Sequence, residues 1–151
     1  MLIDAFTYFN EEELVELRLK YLEPIVDYFI IIESNITFTG KKKEWNFPNI
    51  LNTKLKKFAH KIQYHQLNIE LDKIKNEESW IIENVKGDDF WRIENFQRNY
   101  IKIACKKFSN DDILIISDLD EIPSIKKLNF ILSSDFKKIE PVALEQHLFH
   151  L

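Results

Sequence analysis

The stretch Asp112-Ile-Leu-Ile-Ile-Ser-Asp-Leu-Asp-Glu-Ile-Pro123 limits the folds open to this chain more than any other. Four consecutive aliphatic residues, Ile113 to Ile116, predict a strand buried on both faces. Ser117 ends the run, Asp118, Asp120 and Glu121 follow at once, and Pro123 stops further pairing. Carboxylates gathered at the end of a buried strand are costly unless something positive sits among them. In an open α/β sheet the carboxyl end of a strand is also where ligands bind. Asp118 and Asp120 are two apart, so both side chains leave one face while the chain stays extended. Two carboxylates on one face suit a hard divalent cation, Mg²⁺ or Mn²⁺, carried together with substrate phosphates. A plainer reading makes Asp120 or Ser124 the cap of the next helix and Asp118 a turn residue. Capping needs one acid, however, and three are present.

The rest of the chain supplies a sheet for that strand. Leu2 to Phe9 reads as a strand, and Asn10 with Glu13 forms a capping-box pattern that starts a helix. Leu14, Leu17, Tyr21 and Leu22 recur at helical spacing before Pro24. Asp27 to Ser34 contains Tyr28-Phe-Ile-Ile-Ile32, apolar on both faces and therefore interior. Strand–helix–strand order at this length implies a parallel pair. Ile50 to Ala59 predicts a short basic helix and His60 to Leu67 a third strand, with Ile62, Tyr64 and Gln66 on one face. The four strands are expected in one mainly parallel sheet, ordered 3-2-1-4 with helices on both faces. Asn68 to Lys86 reads as loop, Ile125 to Ser134 as a short helix, and Pro141 to Leu151 as a last strand.

The longest helix opens at Gly87-Asp88-Asp89 and is expected to run to about Phe108. Ile93, Phe96, Tyr100, Ala104 and Phe108 form its apolar stripe. Glu94 and Arg98 are an i,i+4 pair. Arg98 lies beside the stripe, so its guanidinium either turns toward the acidic rim and a phosphate or stays in a surface ion pair. Glu33 and Ser34 end the second strand on the same rim as Asp118, where an acid serves as a ribose-hydroxyl acceptor or is simply solvated. Behind them, Lys41-Lys-Lys43 offers attraction for a diphosphate and Trp45 a stacking face, unless the run is an ordinary solvated loop.

Composition removes several classes of function. A net charge of −4 gives a nucleic-acid partner no general support. Cys105 is the only cysteine, which excludes an internal disulfide and a zinc–cysteine cluster. With two glycines, Gly40 and Gly87, no Gly-rich phosphate loop can be built. His60, His65, His147 and His150 lack metal-ligand spacing with one another. No apolar run is long enough to span a bilayer and no signal peptide is visible, so a cytoplasmic chain is expected.

Four blocks in order are similar to glycosyltransferase family 17, the β-1,4-mannosyl-glycoprotein β-1,4-N-acetylglucosaminyltransferases. They are Met1-Leu-Ile-Asp-Ala-Phe-Thr-Tyr-Phe-Asn-Glu11, then Val26 to Ser34 with Thr37-Phe-Thr-Gly40, then Phe96-Gln-Arg-Asn99, and Ile115 to Pro123. The resemblance implies a GT-A-type fold over 1–151, a UDP-sugar donor, and inverting transfer of a sugar to a glycan hydroxyl. It makes Asp118-Leu-Asp120 the DxD motif, with Mn²⁺ or Mg²⁺ on Asp118 and Asp120. Phe6, Thr7, Glu33, Ser34, Arg98 and Asp118 are then the expected donor contacts, and Glu121 and Glu145 the candidate catalytic bases. Family catalytic domains continue past a segment like Glu145 to Leu151, so most of the acceptor half is expected to be missing. The open sheet edge that this would leave predicts self-association.

Two other classes compete. A strand ending Asp-x-Asp also resembles haloacid-dehalogenase-like phosphatases, but their motif wants Thr or Val where Ile122 stands, and too little chain follows Pro123 for their later motifs. A non-catalytic nucleotide-sugar-binding fragment would keep the donor rim without the acceptor half.

Overall fold

The computed structural model describes residues 1–71, 89–133 and 141–144, with the backbone alone for 89–91. Strands β1 (Leu2–Tyr8), β2 (Tyr28–Ser34), β3 (Ile62–Leu67) and β4 (Ile113–Ile116) form one sheet. All pairings are parallel and the order is β3-β2-β1-β4, as the alternation of strand and helix signals predicts. Helices α1 (Glu12–Leu22), α2 (Phe47–Leu51), α3 (Asp89–Ala104) and α4 (Ile125–Ser133) connect or follow the strands, with a 3-10 turn at Lys56–Phe58. No helix among the described residues is long and apolar enough to cross a membrane.

β1 and β2 are apolar on both faces because each face has its own core. On one side Phe6, Tyr8, Phe29 and Ile31 cluster with Val15, Leu19 and Leu22 of α1, Phe47 and Ile50 of α2, and Leu128 of α4. On the other, Ile3, Ala5, Ile30 and Ile32 cluster with Ile93, Ile101 and Ala104 of α3. Each of the larger side chains contributes about 1.5–3 kcal/mol by leaving water. Together the two cores fix β1 at the centre, so its carboxyl end opens between the α1 and α3 layers.

Several expectations are corrected. Among the described strands β4 lies at the edge and is not doubly buried: Ile113 and Ile115 face the α1 core, but Leu114 is exposed and Ile116 is 58% exposed. A four-residue apolar run specifies a strand without specifying how many neighbours it has. In α1 the buried positions are Val15, Arg18, Leu19 and Leu22, while Leu17 and Tyr21 are exposed. The helix is rotated from the face its aliphatic spacing suggests toward Val15 and Leu19, and it buries an arginine there. Its N-cap is Glu11 rather than Asn10, and no side-chain capping bond forms. The Glu11 carboxylate instead accepts from the backbone N–H groups of Phe9 and Asn10. The basic helix expected over 50–59 is broken into α2 and the 3-10 turn. α3 stops at Ala104, and its buried face includes Gln97 and Ile101 beside the expected Ile93 and Ala104. Phe108 packs on the same core from beyond the helix end. The loop expected over 68–86 lies largely outside the described residues; of the strand expected over 141–151, residues 141–144 form no strand and the rest lies outside the described residues.

Candidate functional site

A cleft of about 270 Å³ opens at the carboxyl ends of β1 and β4. Thr7, Phe9 and Glu11 come to it from the end of β1 and the start of α1, Phe38 from the loop after β2, Glu94 and Arg98 from α3, and Asp118 and Asp120 from the segment after β4. Among the described residues, four carboxylates and one guanidinium therefore line it. Asp118 has a side chain 47% exposed, and its Oδ1 accepts from Nη2 of Arg98 at 2.5 Å. The same Nη2 lies 3.1 Å from Oε1 of Glu94, so the intrahelical pair and the inward turn both occur.

The chain does not stay extended through the acids. The Glu121 N–H donates to the Asp118 carbonyl at 3.0 Å, and the Ile122 N–H donates to the Asp120 carbonyl at 3.1 Å. The Glu121 carboxylate accepts from the Asp118 N–H at 3.0 Å, which closes the turn on itself. Leu119 is buried between the two aspartates while Asp120 is exposed. Asp118 and Asp120 thus reach one cleft through a tight turn. Glu121 faces elsewhere, lining a groove of about 480 Å³ beside β4 with Leu114, Ile116 and Leu128. Glu145 lies outside the described residues.

Beneath the turn sits Arg18, a charged residue on the apolar side of α1, four positions after Leu14 and four before Leu22. Both it and Asp4 are 0% exposed. Nε of Arg18 donates to Oδ2 of Asp4 at 2.9 Å and Nη2 donates to Oδ1 at 2.7 Å, a fork-on-fork pair. The remaining N–H groups reach Ser117 Oγ and the carbonyls of Asp118, Leu119 and Glu121. Asp4, an acid within an apolar strand, was the available signal that a buried cation had to exist.

The residues at the end of β2 are turned inward. Glu33 is fully buried and accepts from Lys43 Nζ at 2.5 Å, from the Asn46 N–H at 2.8 Å, from the Phe47 N–H at 3.2 Å and from Tyr64 Oη at 2.5 Å. Burial, then the bond to Glu33, pushes the Tyr64 hydroxyl above the usual tyrosine range. Glu33 thereby anchors the segment leading into α2, and Lys43 is held against it rather than left free beside the cleft. Ser34 is buried too, accepting from Gln97 Nε2 at 2.9 Å. The adjacent Gln97 and Arg98 of α3 therefore grip the ends of β2 and β4 respectively. Phe6 is wholly buried with the Arg18 guanidinium 4.7 Å from its ring centroid, whereas Thr7 lines the cleft.

Phe38 owes its position to a turn. The Gly40 N–H donates to the Thr37 carbonyl at 2.9 Å, and Gly40 has a φ of +77°, a conformation costly for any residue with a Cβ. A Cβ there would also meet the side chains of Leu71 and Ile93. Trp45 is half-buried, and Lys43 Nζ lies 6.0 Å from its ring and 5.7 Å from that of Phe9.

Among the described residues no three His, Cys, Asp or Glu side chains come together in a way that could hold a metal alone. Asp118 and Asp120 supply carboxylate oxygens only, which suits Mg²⁺ or Mn²⁺ completed by phosphate oxygens and water rather than by protein. On donor chemistry the residues fit such an ion.

The model described as Glycosyltransferase family 17 matches residues 1–150. Over 130 residues the chain is 29% identical to the human beta-1,4-mannosyl-glycoprotein 4-beta-N-acetylglucosaminyltransferase, covering 81% of this chain and 22% of that protein. The rat protein of the same name is 29% identical over 81% of this chain and 21% of its own length, and the mouse protein 28% identical over the same shares. The chain spans about a fifth of the length of the curated relatives it matches. No solved structure matches it significantly. Matched from its first residue to residue 150, the chain belongs to glycosyltransferase family 17.

Proposed function

We propose that this chain carries the donor site of a metal-dependent glycosyltransferase of GT-A type, one that takes N-acetylglucosamine from UDP and passes it, with inversion, to a glycan hydroxyl. The observation that carries the reading is that Asp118 and Asp120 line one cleft at the carboxyl rim of a parallel sheet together with Arg98, which pairs with Asp118. In this reading Asp118 and Asp120 hold Mn²⁺ or Mg²⁺, which supplies Lewis-acid neutralisation of the leaving diphosphate. Arg98, already at Asp118, meets the diphosphate oxygens. Thr7 and Phe9 border the donor from the end of β1, while Glu33 and Ser34 act on it through the backbone segments they hold. Inversion requires one carboxylate to take the proton of the acceptor hydroxyl. Glu145 is one candidate for that base; Glu121, the other, would have to leave the Asp118 N–H and turn toward the cleft to serve.

Calorimetry with UDP in the presence of Mn²⁺ and again with EDTA tests the donor reading. Binding is expected with the metal and lost without it. D118N and D120N are each expected to weaken it by at least the roughly 10- to 100-fold that even outer partners of a metal site command. Equal affinity in EDTA would remove both aspartates as ligands. Transfer from UDP-N-acetylglucosamine to mannose-terminated acceptors then separates an enzyme from a donor-binding fragment.

A further inference from the structure

We infer that Arg18 is the positioning residue of the acid turn, fixing where Asp118 and Asp120 point without itself meeting the donor. The inference rests on the reading of that turn as the metal–diphosphate site. Arginine in a core is expensive: a buried ion pair is often no more stable than well-packed apolar residues of the same volume. Arg18 nevertheless lies at 0% exposure beneath the site, about a hundred residues from the turn in sequence.

The guanidinium divides its donors between two tasks. Nε and one N–H of Nη2 are taken by Asp4, which pairs with Ile115 of β4 in the sheet register. Nη1 goes wholly to the turn, 2.7 Å from the Asp118 carbonyl, 3.1 Å from that of Leu119 and 3.3 Å from that of Glu121. The last N–H of Nη2 meets Ser117 Oγ at 2.7 Å, and that hydroxyl stands 3.0 Å from the Glu121 carbonyl. The carbonyls that bracket the two aspartates are drawn down onto one planar group, and the carboxylates are left toward the cleft. Asp4 balances the charge of Arg18, so the pair acts on the acids through backbone orientation rather than as their counter-ion. A lysine would keep the charge and lose the fork.

Three variants test this, each read by urea denaturation, by amide hydrogen exchange of residues 118–122 without metal or nucleotide, and by calorimetry with Mn²⁺ and UDP. The double variant D4L/R18M replaces the pair with apolar side chains and is expected to stay folded. Exchange in the turn should rise at least about tenfold while β1 and β2 keep their protection, and UDP affinity should fall by at least about tenfold. R18K should show the same two losses. S117A removes one acceptor at a half-buried position and should raise turn exchange about fivefold, the worth of one hydrogen bond; it decides the matter if the double variant does not fold. Unchanged turn protection in the folded variants would overturn the inference and make Arg18 a core residue only. If the unaltered chain binds no UDP with Mn²⁺, the donor reading fails, while the exchange measurement still decides whether Arg18 orders the turn.

Discussion

Nη2 of Arg98 stands 2.5 Å from Oδ1 of Asp118 and 3.1 Å from Oε1 of Glu94, so a single cation is shared by two acids at the mouth of the cleft. All three side chains are partly exposed, and an ion pair in that setting is worth at most about 1 kcal/mol. It is strong enough to aim Asp118 and weak enough to yield to a divalent ion. R98Q should therefore shift two affinities in opposite directions. Mn²⁺ alone is expected to bind up to about fivefold more tightly, since its competitor is gone. UDP in the presence of Mn²⁺ should bind more weakly, since a diphosphate partner is gone. Calorimetric titrations of both ligands check this, and shifts of the same sign would refute it.

Glu33 behaves as a structural acid. E33Q leaves Lys43 without its buried counter-charge and forces an amide into a site built from four donors. The expected loss is about 3–5 kcal/mol, that of breaking a buried pair. Urea unfolding measures it, and a midpoint equal to that of the parent chain would show that the network does not form.

Tyr8 is the opposite case. Its hydroxyl is buried without a hydrogen-bond partner among the described residues, and burial followed by the nearby Glu33 raises its pKa. The ring stands edge-on to Phe47 at 5.3 Å. Y8F keeps that packing and removes the unsatisfied group, so it should be neutral or stabilise by about 1 kcal/mol. A clear loss of stability by thermal unfolding would reveal a partner for the hydroxyl.

His65 on β3 gives the fold a pH dependence. Burial, with a smaller effect from Lys107, lowers its pKa below the ordinary 6.5, and its ring faces Tyr100 at 6.1 Å. Between the folded pKa and 6.5 the unfolded chain binds the proton and the folded chain does not, so stability rises with pH there. The contribution is complete above 6.5 and is lost as pH falls through the folded value. H65Q should flatten that part of a stability-versus-pH profile, and an unchanged slope below pH 6.5 would assign the effect elsewhere.

The sequence by itself determined the strands and their order. Doubly apolar runs at Leu2–Tyr8 and Tyr28–Ser34, separated by a helix-length segment, admit little but adjacent parallel central strands. The concentration of acids after Ile116, and Arg98 one helical turn from Glu94, were legible for the same reason: local spacing encodes them. Tertiary structure alone decided which charges face water. Glu33 and Asp118 both end strands on one rim, yet one is sealed by Lys43, Tyr64 and two backbone amides while the other opens to the cleft. Arg18 lies at helical spacing between Leu14 and Leu22, yet the groups that make its burial tolerable are Asp4 on β1 and a turn that arrives from about a hundred positions away to accept its hydrogen bonds. Hydrophobic periodicity records how one element meets a core, but a buried ion pair is specified by both partners and by every carbonyl around them, which no single stretch of sequence contains.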